Sequence, residues 1–385
     1  MVEKNCKNQE KNSVKKVDVI HCWYTTADTL TKLKKLELEN MIKEGSPELI
    51  AITELKPKNY KRVLQYLDYC IKDYNLEIEN LKDTGSTRGV ALYIHKSIKY
   101  TKLELNTIFN DITRPKEAIM CEINLTNSEK LLFCNIYRSE SNTREQNNDI
   151  GNCFKRVSNL GYNHIIITGD FNRKHINWES ITSPKKEDQA FLEAIRDSYL
   201  IQHQLTPTRG RGRDKPSLLD LVFTNVEHSI EYIDTHNPIG NSDHSIIKFG
   251  YRCIPEEMPP KITLVYDKAD YNKMKEMLNI NWQEEFKHCI DNVEDQWTIF
   301  TDKYHHAVNE CVPKKIVRVG KKKFKHVLDK KTLAKKRKKY RLWQRFLQTS
   351  DGKIYTEYRR CSNQLRSLMR KVAKLQEKEI AKDMK

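Results

Sequence analysis

The sequence predicts a layered α/β sandwich followed by a basic, helical extension. Three observations carry that reading. Short apolar runs rich in β-branched and aromatic residues alternate with helical patterns in the first half and dominate afterwards, which suits stacked sheets better than a doubly wound parallel sheet. At Pro255 to Pro260 (Pro-Glu-Glu-Met-Pro-Pro) the pattern breaks, marking a domain boundary. Charge then changes: Pro313 to Lys385 holds 26 Lys+Arg against 6 Asp+Glu, so the chain of net charge +17 stands near neutral, at −3, before that point. Such asymmetry is the footprint of a polyanion partner such as nucleic acid.

Composition narrows the classes. With 385 residues and 38% hydrophobic content the chain can bury a full core. No run approaches the roughly 18 apolar residues of a membrane span. The polar start, Met1 to Val14, lacks the apolar centre of a signal peptide, so the expected location is nucleus or cytoplasm, without membrane contact. Ten cysteines are scattered without a Cys-x-x-Cys pair, which predicts neither a zinc site nor a disulfide framework. Cys22, Cys121 and Cys134 sit inside apolar runs and read as small buried hydrophobes.

Taken in order, residues 1–16 form a polar lead-in. Val17 to Trp23 reads as a strand with Tyr24-Thr-Thr-Ala-Asp28 at its edge, and leucines at helical spacing predict a helix over about 29–44, closed by Gly45-Ser-Pro47. Glu48 to Thr53 is the next strand and delivers Glu54 just beyond it. Residues 60–80 give no clear element, whereas Gly89 to His95, Ala118 to Asn124 and Leu131 to Tyr137 read as strands, the last ending in Tyr137-Arg138-Ser139. A helix over about 144–160 leads into a strand at 164–168, and Gln189 to Tyr199 is a further helix. Thr206 to Pro216 reads as an exposed basic loop charged by Arg209, Arg211, Arg213 and Lys215. Leu218 to Thr224 is a strand with Asp220 embedded in it, which requires a hydrogen-bonding partner. Asn241 to Phe249 places Asp243 and His244 at the start of the last core strand.

Beyond the boundary, helices are expected over about 268–311, with Trp282, Phe286, Trp297 and Phe300, followed by the basic runs Lys321–Lys325 and Lys335–Arg341. Tyr358, Cys361, Leu365, Leu368, Val372 and Leu375 make a 3-4-3-4-3 seam, read first as intramolecular packing and second as self-association. The expected division is 1–16 lead-in, 17–250 catalytic domain and 251–385 basic helical linker.

The densest chemistry lies in Gly169-Asp-Phe-Asn172. Gly169 is expected to let the backbone turn after the strand. Alternation along an extended segment would then aim Asp170 and Asn172, an anionic acceptor and a neutral donor, at one site. A carboxylate can orient or deprotonate water, and an amide can stabilise charge on a phosphate oxygen. Asp28, Glu54, Tyr137, Asp170, Asn172, Asp220, Asp243 and His244 all fall at or near strand ends. Each alone has a plainer reading: Asp28 as a helix cap, Glu54 as a surface acid, Tyr137 as a core-edge aromatic, His244 as a satisfied histidine. Together they make the inventory of a metal-assisted phosphodiesterase.

The ordered motifs Ile52-Thr-Glu-Leu-Lys-Pro-Lys58, Gly89-Val-Ala-Leu-Tyr93, Ile136-Tyr-Arg138, Gly169-Asp-Phe-Asn172, Ile176-Asn-Trp178, Leu219-Asp-Leu-Val-Phe-Thr224 and Ser242-Asp-His244 closely resemble the endonuclease/exonuclease/phosphatase superfamily. Over about residues 17–250 the chain resembles the apurinic-endonuclease-type domain of jockey-like non-LTR retrotransposons. The stretch 251–385 is similar to the linker before the reverse transcriptase in such polyproteins, and with no adjacent Asp-Asp pair the polymerase is expected to be absent. The resemblance implies a four-layer sandwich and Mg²⁺, with Mn²⁺ as a substitute. It implies Glu54 and Asp28 as metal ligands, Asp243 at a second or alternative position, and Asp170 activating water. Asn172 and Tyr137 would donate to phosphate oxygens, and His244, fixed by Asp220, would stabilise the transition state. Cleavage would leave a 3′-hydroxyl and a 5′-phosphate. Arg138 and the loop from Arg209 to Lys215 would contact DNA, with RNA a further candidate for the basic tail. One position departs from the pattern: Thr26 stands where the family has Asn, replacing a two-headed amide by a shorter hydroxyl. The rival readings are a nucleic-acid-binding remnant and another phosphodiesterase or phosphatase of the superfamily.

Overall fold

The computed structural model describes residues 19–58, 64–81, 87–109, 114–257, 259, 261–289, 291–317 and 328–383. The polar lead-in and the run Lys321–Lys325 lie outside the described residues. Contacts gather the chain into two compact units, Met1–Glu257 together with Lys322–Lys385, and Met258–Lys321.

The first unit begins with β1 (Val19–Thr26), α1 (Lys32–Gly45), β2 (Leu49–Thr53), β3 (Tyr74–Glu79), β4 (Val90–His95), β5 (Tyr100–Lys102) and α2 (Leu105–Ile108). It continues with β6 (Glu117–Asn124), β7 (Lys130–Tyr137), α3 (Arg144–Ser158), β8 (His164–Asp170), α4 (Lys186–Asp197) and β9 (Ile201–Gln202). Three strands follow, β10 (Asp220–Thr224), β11 (Ile230–His236) and β12 (Ile246–Arg252). The second unit holds β13 (Lys261–Leu264), α5 (Tyr271–Leu278), α6 (Trp282–Glu285), α7 (Val293–Cys311) and β14 (Lys314–Val317). The chain then returns to the first unit as α8 (Lys330–Thr349) and α9 (Gly352–Asp383).

Two six-stranded sheets, ordered β11-β12-β1-β2-β4-β3 and β5-β6-β7-β8-β10-β9, face each other. Each contains one parallel pair, β1–β2 and β7–β8, joined through α1 and α3. Strand alternation builds the layers. Along β1, Ile20, Cys22 and Tyr24 enter the core between the sheets, while Trp23 packs outward with Leu38, Met41 and Ile42 of α1. On β8, Ile166 faces the inner core, and Ile165 and Ile167 face Phe154 of α3 and Phe191 of α4. Both faces of these strands are therefore covered, which is why their sequences read as continuous apolar runs. The result is the expected four-layer α/β sandwich: helix, sheet, sheet, helices.

Three features differ from the sequence reading. The unassigned stretch 60–80 contains β3, an edge strand, and β11 is another edge strand outside the predicted set. Its one-sided exposure admits Glu231 and Asp234, which dilute a strand signal. The loop from Thr206 to Pro216 is anchored at its start: Thr208 N and Arg209 N donate to Ser217 O, and Gly210 N donates to Asp243 O. Gly210 lies so close to Phe346 of α8 that an added Cβ would fall 2.5 Å from its ring.

Finally, α8 and α9 pack on the sandwich, whereas Met258–Lys321 forms its own unit, so contacts divide the stretch expected as one linker-like region. Trp343 and Phe346 are wholly buried, and Trp343 Nε1 donates to Ser245 Oγ at 2.8 Å. Lys339, also buried, donates to Glu37 Oε1 at 2.9 Å and to the carbonyls of Pro238 and Gly240 at 2.8 and 3.2 Å. Ser362 Oγ adds a bond to Gly240 O at 2.9 Å. The seam of α9 is used within the chain: Tyr358 and Cys361 pack with Trp343 and Phe346, and Leu365 packs with Leu328 and Met369. This is the intramolecular packing that was the first reading of the seam, while Leu375 at its far end stays exposed. Within the second unit, β13 pairs antiparallel with β14, and Trp282, Trp297 and Phe300 cluster, their rings centred 5.5 to 5.6 Å apart around Phe300.

Two measurements check this packing. Trp343→Ala should cost about 3–5 kcal/mol in urea unfolding, the range for emptying a large buried aromatic site. His236, 5.1 Å from the ring of Tyr340 on α8, has its pKa lowered to about 4 from 6.5 by burial and by Lys248 and Lys336. The unfolded ring binds a proton first, so this group removes stability as pH falls from about 6.5 to 4. The melting temperature of His236→Phe should consequently fall less across that interval than that of the unsubstituted chain.

Candidate active site

Strand register places the first three groups. Asp170 ends β8, lies beside Tyr137 of parallel β7 and is paired with Asp220, the first residue of antiparallel β10. His244 arrives from the loop before β12. Asp170, Asp220 and His244 are all buried. His244 Nδ1 donates to Asp220 Oδ2 at 2.8 Å, leaving Nε2 4.0 Å from both Asp170 Oδ2 and Asp243 Oδ1. Asp220 therefore has the partner its burial demands. It has more: Thr26 Oγ1 donates to Asp220 Oδ1 at 2.8 Å and Thr208 Oγ1 accepts from Asp220 N at 3.1 Å. Tyr24, Thr26 and Thr53 extend this into a buried hydroxyl cluster, with oxygens 2.9 to 3.1 Å apart.

Electrostatics follow from that burial. Desolvation alone would lower the His244 pKa, but Asp220 and Asp170 outweigh it and raise it to about 10, so with no metal ion on its nitrogens the ring is a cation at neutral pH. Burial pushes the Asp170 carboxyl well above the ordinary range; His244 opposes, and Asp220 and Glu54 reinforce. Asp243 goes the other way: burial would raise it, yet His244 and Arg209 hold it low.

The remaining candidates ring an open groove of about 890 Å³. Glu54 and Asp28 both meet Arg88, whose Nη2 lies 3.0 Å from Glu54 Oε2 and 3.1 Å from Asp28 Oδ1. Tyr137 donates its hydroxyl to Glu54 Oε1 at 2.7 Å. Asn172 reaches the groove by a route different from simple alternation. Its φ is +49°, its N donates to Asp170 Oδ1 at 3.1 Å, and its Nδ2 donates to Arg138 O at 2.7 Å. The turn belongs to Asn172; Gly169 remains in β8, where a Cβ would strike Ile136 O at 2.1 Å. Close strand approach is thus the reason for glycine there. Arg209 pairs with Asp243 Oδ2 at 3.1 Å, and Arg211 lines the groove, while Arg213 and Lys215 are not among its lining residues. Arg138 is turned inward, donating to Asn147 Oδ1 at 2.7 Å and to the carbonyls of Phe171 and Asn172 at 3.3 Å. It props the Asn172 turn and is withdrawn from any external ligand.

Residues 131–248 match the family model described as "Endonuclease-reverse transcriptase". No curated protein sequence matches the chain. Among solved structures, the endonuclease domain of TRAS1, a telomere-specific non-LTR retrotransposon, is similar at 13% identity over 61% of this chain and 99% of that one, with a TM-score of 0.46. An AP endonuclease from Leishmania major is 12% identical over 60% of this chain and 88% of its own, TM-score 0.46. An endonuclease/exonuclease/phosphatase family protein from Leptotrichia buccalis is 18% identical over 60% and 99%, TM-score 0.44.

Within the matched segment, Asp170, Asp220 and His244 each bring a ligand atom to within 4.8 Å of the others, a grouping among the described residues that could hold a metal ion. Glu54 and Asp28 offer hard carboxylate oxygens, the donor class that magnesium takes, and Arg88 sets a cationic group against both. Arg88 was missed from the sequence; its only signal was position, one residue before the strand motif beginning at Gly89. Lys34 was missed as well. From α1 its Nζ donates to Ala27 O and Asp28 O at 2.7 and 2.6 Å, fixing the Asp28 turn, where φ is +42°. Among the described residues no helix is long and apolar enough to cross a membrane.

Thr26, the departure from the family pattern, is a working member of the network. Thr26→Val should cost about 1–3 kcal/mol in urea unfolding, because Asp220 loses a buried donor, whereas Thr26→Ser should retain most of that stability.

Proposed function

We propose that this domain is a Mg²⁺-dependent DNA endonuclease of non-LTR-retrotransposon type that nicks a phosphodiester to give 3′-hydroxyl and 5′-phosphate ends. The observation that carries the reading is the buried Asp170–His244–Asp220 chain at the floor of an open groove ringed by Glu54, Asp28, Tyr137 and Asn172. The family match over residues 131–248 and the ordered sequence motifs support the same chemistry.

Each residue then has a task. Asp170, its carboxyl raised by burial, is a stronger base than an exposed aspartate and orients and deprotonates the attacking water. His244, cationic and held by Asp220, faces the phosphoryl oxygens as negative charge builds there. The Asn172 amide keeps one N–H beyond its bond to Arg138 O as a donor at the groove, whereas Tyr137 gives its single hydroxyl proton to Glu54 and would donate to a phosphate oxygen only by exchanging that bond. Glu54 with Asp28 would hold Mg²⁺, and Asp243 would serve a second or alternative position; Mn²⁺ suits the same oxygen donors. Bound there, the ion supplies Lewis-acid polarisation of the scissile phosphate. Arg211, with Arg213 and Lys215 farther along the loop, meets the backbone of the nucleic acid, and Arg209 helps while steadying Asp243.

Nicking of supercoiled plasmid by the full chain tests this. Activity should require Mg²⁺, be recovered with Mn²⁺ and vanish in EDTA. His244→Ala should lower the rate by about 10²–10³, as removing a transition-state donor does. DNA held in a salt-sensitive complex but never nicked would instead establish a binding remnant.

A further inference from the structure

The acids of the groove create a problem that the sandwich alone does not solve. Asp28, Glu54, Asp170 and Asp243 repel an incoming phosphate backbone, and the cations nearest them are engaged, Arg88 with Asp28 and Glu54, and Arg209 with Asp243. Among the described residues, the groove-lining cations that form no ion pair are Lys58, Arg211 and Arg359. The first two stand on loops of the sandwich. Arg359 comes from α9, about 190 residues after Asp170, and Tyr355 one turn earlier lines the groove on the same helix face.

We propose that α9 is a wall of the catalytic groove, with Arg359 binding a backbone phosphate of the DNA duplex beside Tyr355. The basic C-terminal helices then belong to the cleavage surface itself and are not merely a detached electrostatic tether. Rigid docking makes this placement specific. Lys339 and Ser362 grip the carbonyls before His244, Trp343 bonds to Ser245 directly after it, and Phe346 fills the space beside Gly210 in the basic loop. Tyr355 is itself seated, its ring centred 4.8 Å from that of Phe346. The helix that carries Arg359 is consequently seated before DNA arrives, and Arg359 lines the same groove as Asp28 and Glu54.

The inference rests on the endonuclease reading, so binding and cleavage are measured separately. Anisotropy of a labelled DNA duplex with the full 385-residue chain in EDTA, from about 50 to 200 mM salt, gives affinity and salt slope. Arg359→Ala should weaken binding about tenfold, the loss of one charged hydrogen-bonded contact, and flatten the slope by about 0.9, the value of one phosphate. Arg359→Lys should keep the slope, and Arg360→Ala, next on the helix but outside the groove lining, should change neither. Circular dichroism melts confirm that the variants fold alike. Equal slopes for Arg359→Ala and Arg360→Ala would overturn the proposal, as would an Arg359 dependence seen with single-stranded RNA and not with the duplex, or no duplex binding at all. Arg359-dependent binding by a chain that does not nick would keep this wall and sink the endonuclease reading.

Discussion

The arrangement depends on one interaction, the hydrogen bond from His244 to a carboxylate shut off from bulk solvent. Asp220 is completely buried at the start of a strand whose neighbours are apolar, and such a group persists only if its oxygens are occupied. His244 takes one oxygen and the Thr26 hydroxyl the other, which ties β10 to β1 across the interface between the sheets. The same bond raises the histidine's proton affinity and leaves Nε2 aimed at the groove. Stability and chemistry are therefore joined in a single pair.

Much of this was legible in the chain. Strands covered on both faces announce themselves as apolar runs, and the polar residues at their ends could be read off as candidates for the groove that the fold assembles. What the sequence hid was hidden for physical reasons. Edge strands β3 and β11 carry charge on their solvated sides, so their pattern resembles loop. Gly169 looked like a turn glycine because a glycine before a polar pair usually is one, yet here the neighbouring carbonyl excludes any side chain. Arg138 and Arg88 illustrate the deeper limit. Both are arginines at strand ends, and only the fold determines that one turns inward to brace backbone carbonyls while the other enters the groove.

The C-terminal helices were read as a basic extension facing nucleic acid, with a seam from Tyr358 to Leu375 that packs within the chain, but not as part of the sandwich. Their apolar stripe is narrow, but Trp343, Phe346 and Tyr358 concentrate on it enough buried surface to fix a helical hairpin against the sandwich. Long cationic side chains add to this by covering apolar surface with their stems, as the buried Lys339 does. Net charge thus described what the hairpin shows to solvent and concealed how it is attached.

The grip of Lys339, Trp343 and Ser362 on residues 238–245 joins groups separated by 98 to 122 positions. A ribosome that has completed β12 has made every residue at the floor of the groove, and Asn237 to meet the carbonyl of Pro238, yet neither of the groups that meet the carbonyl of Gly240. The histidine loop of the nascent protein waits, without its last restraints, until α8 and α9 emerge. The order of synthesis is in this way built into the site: its floor is translated first, and the helices that lock it follow about a hundred residues later.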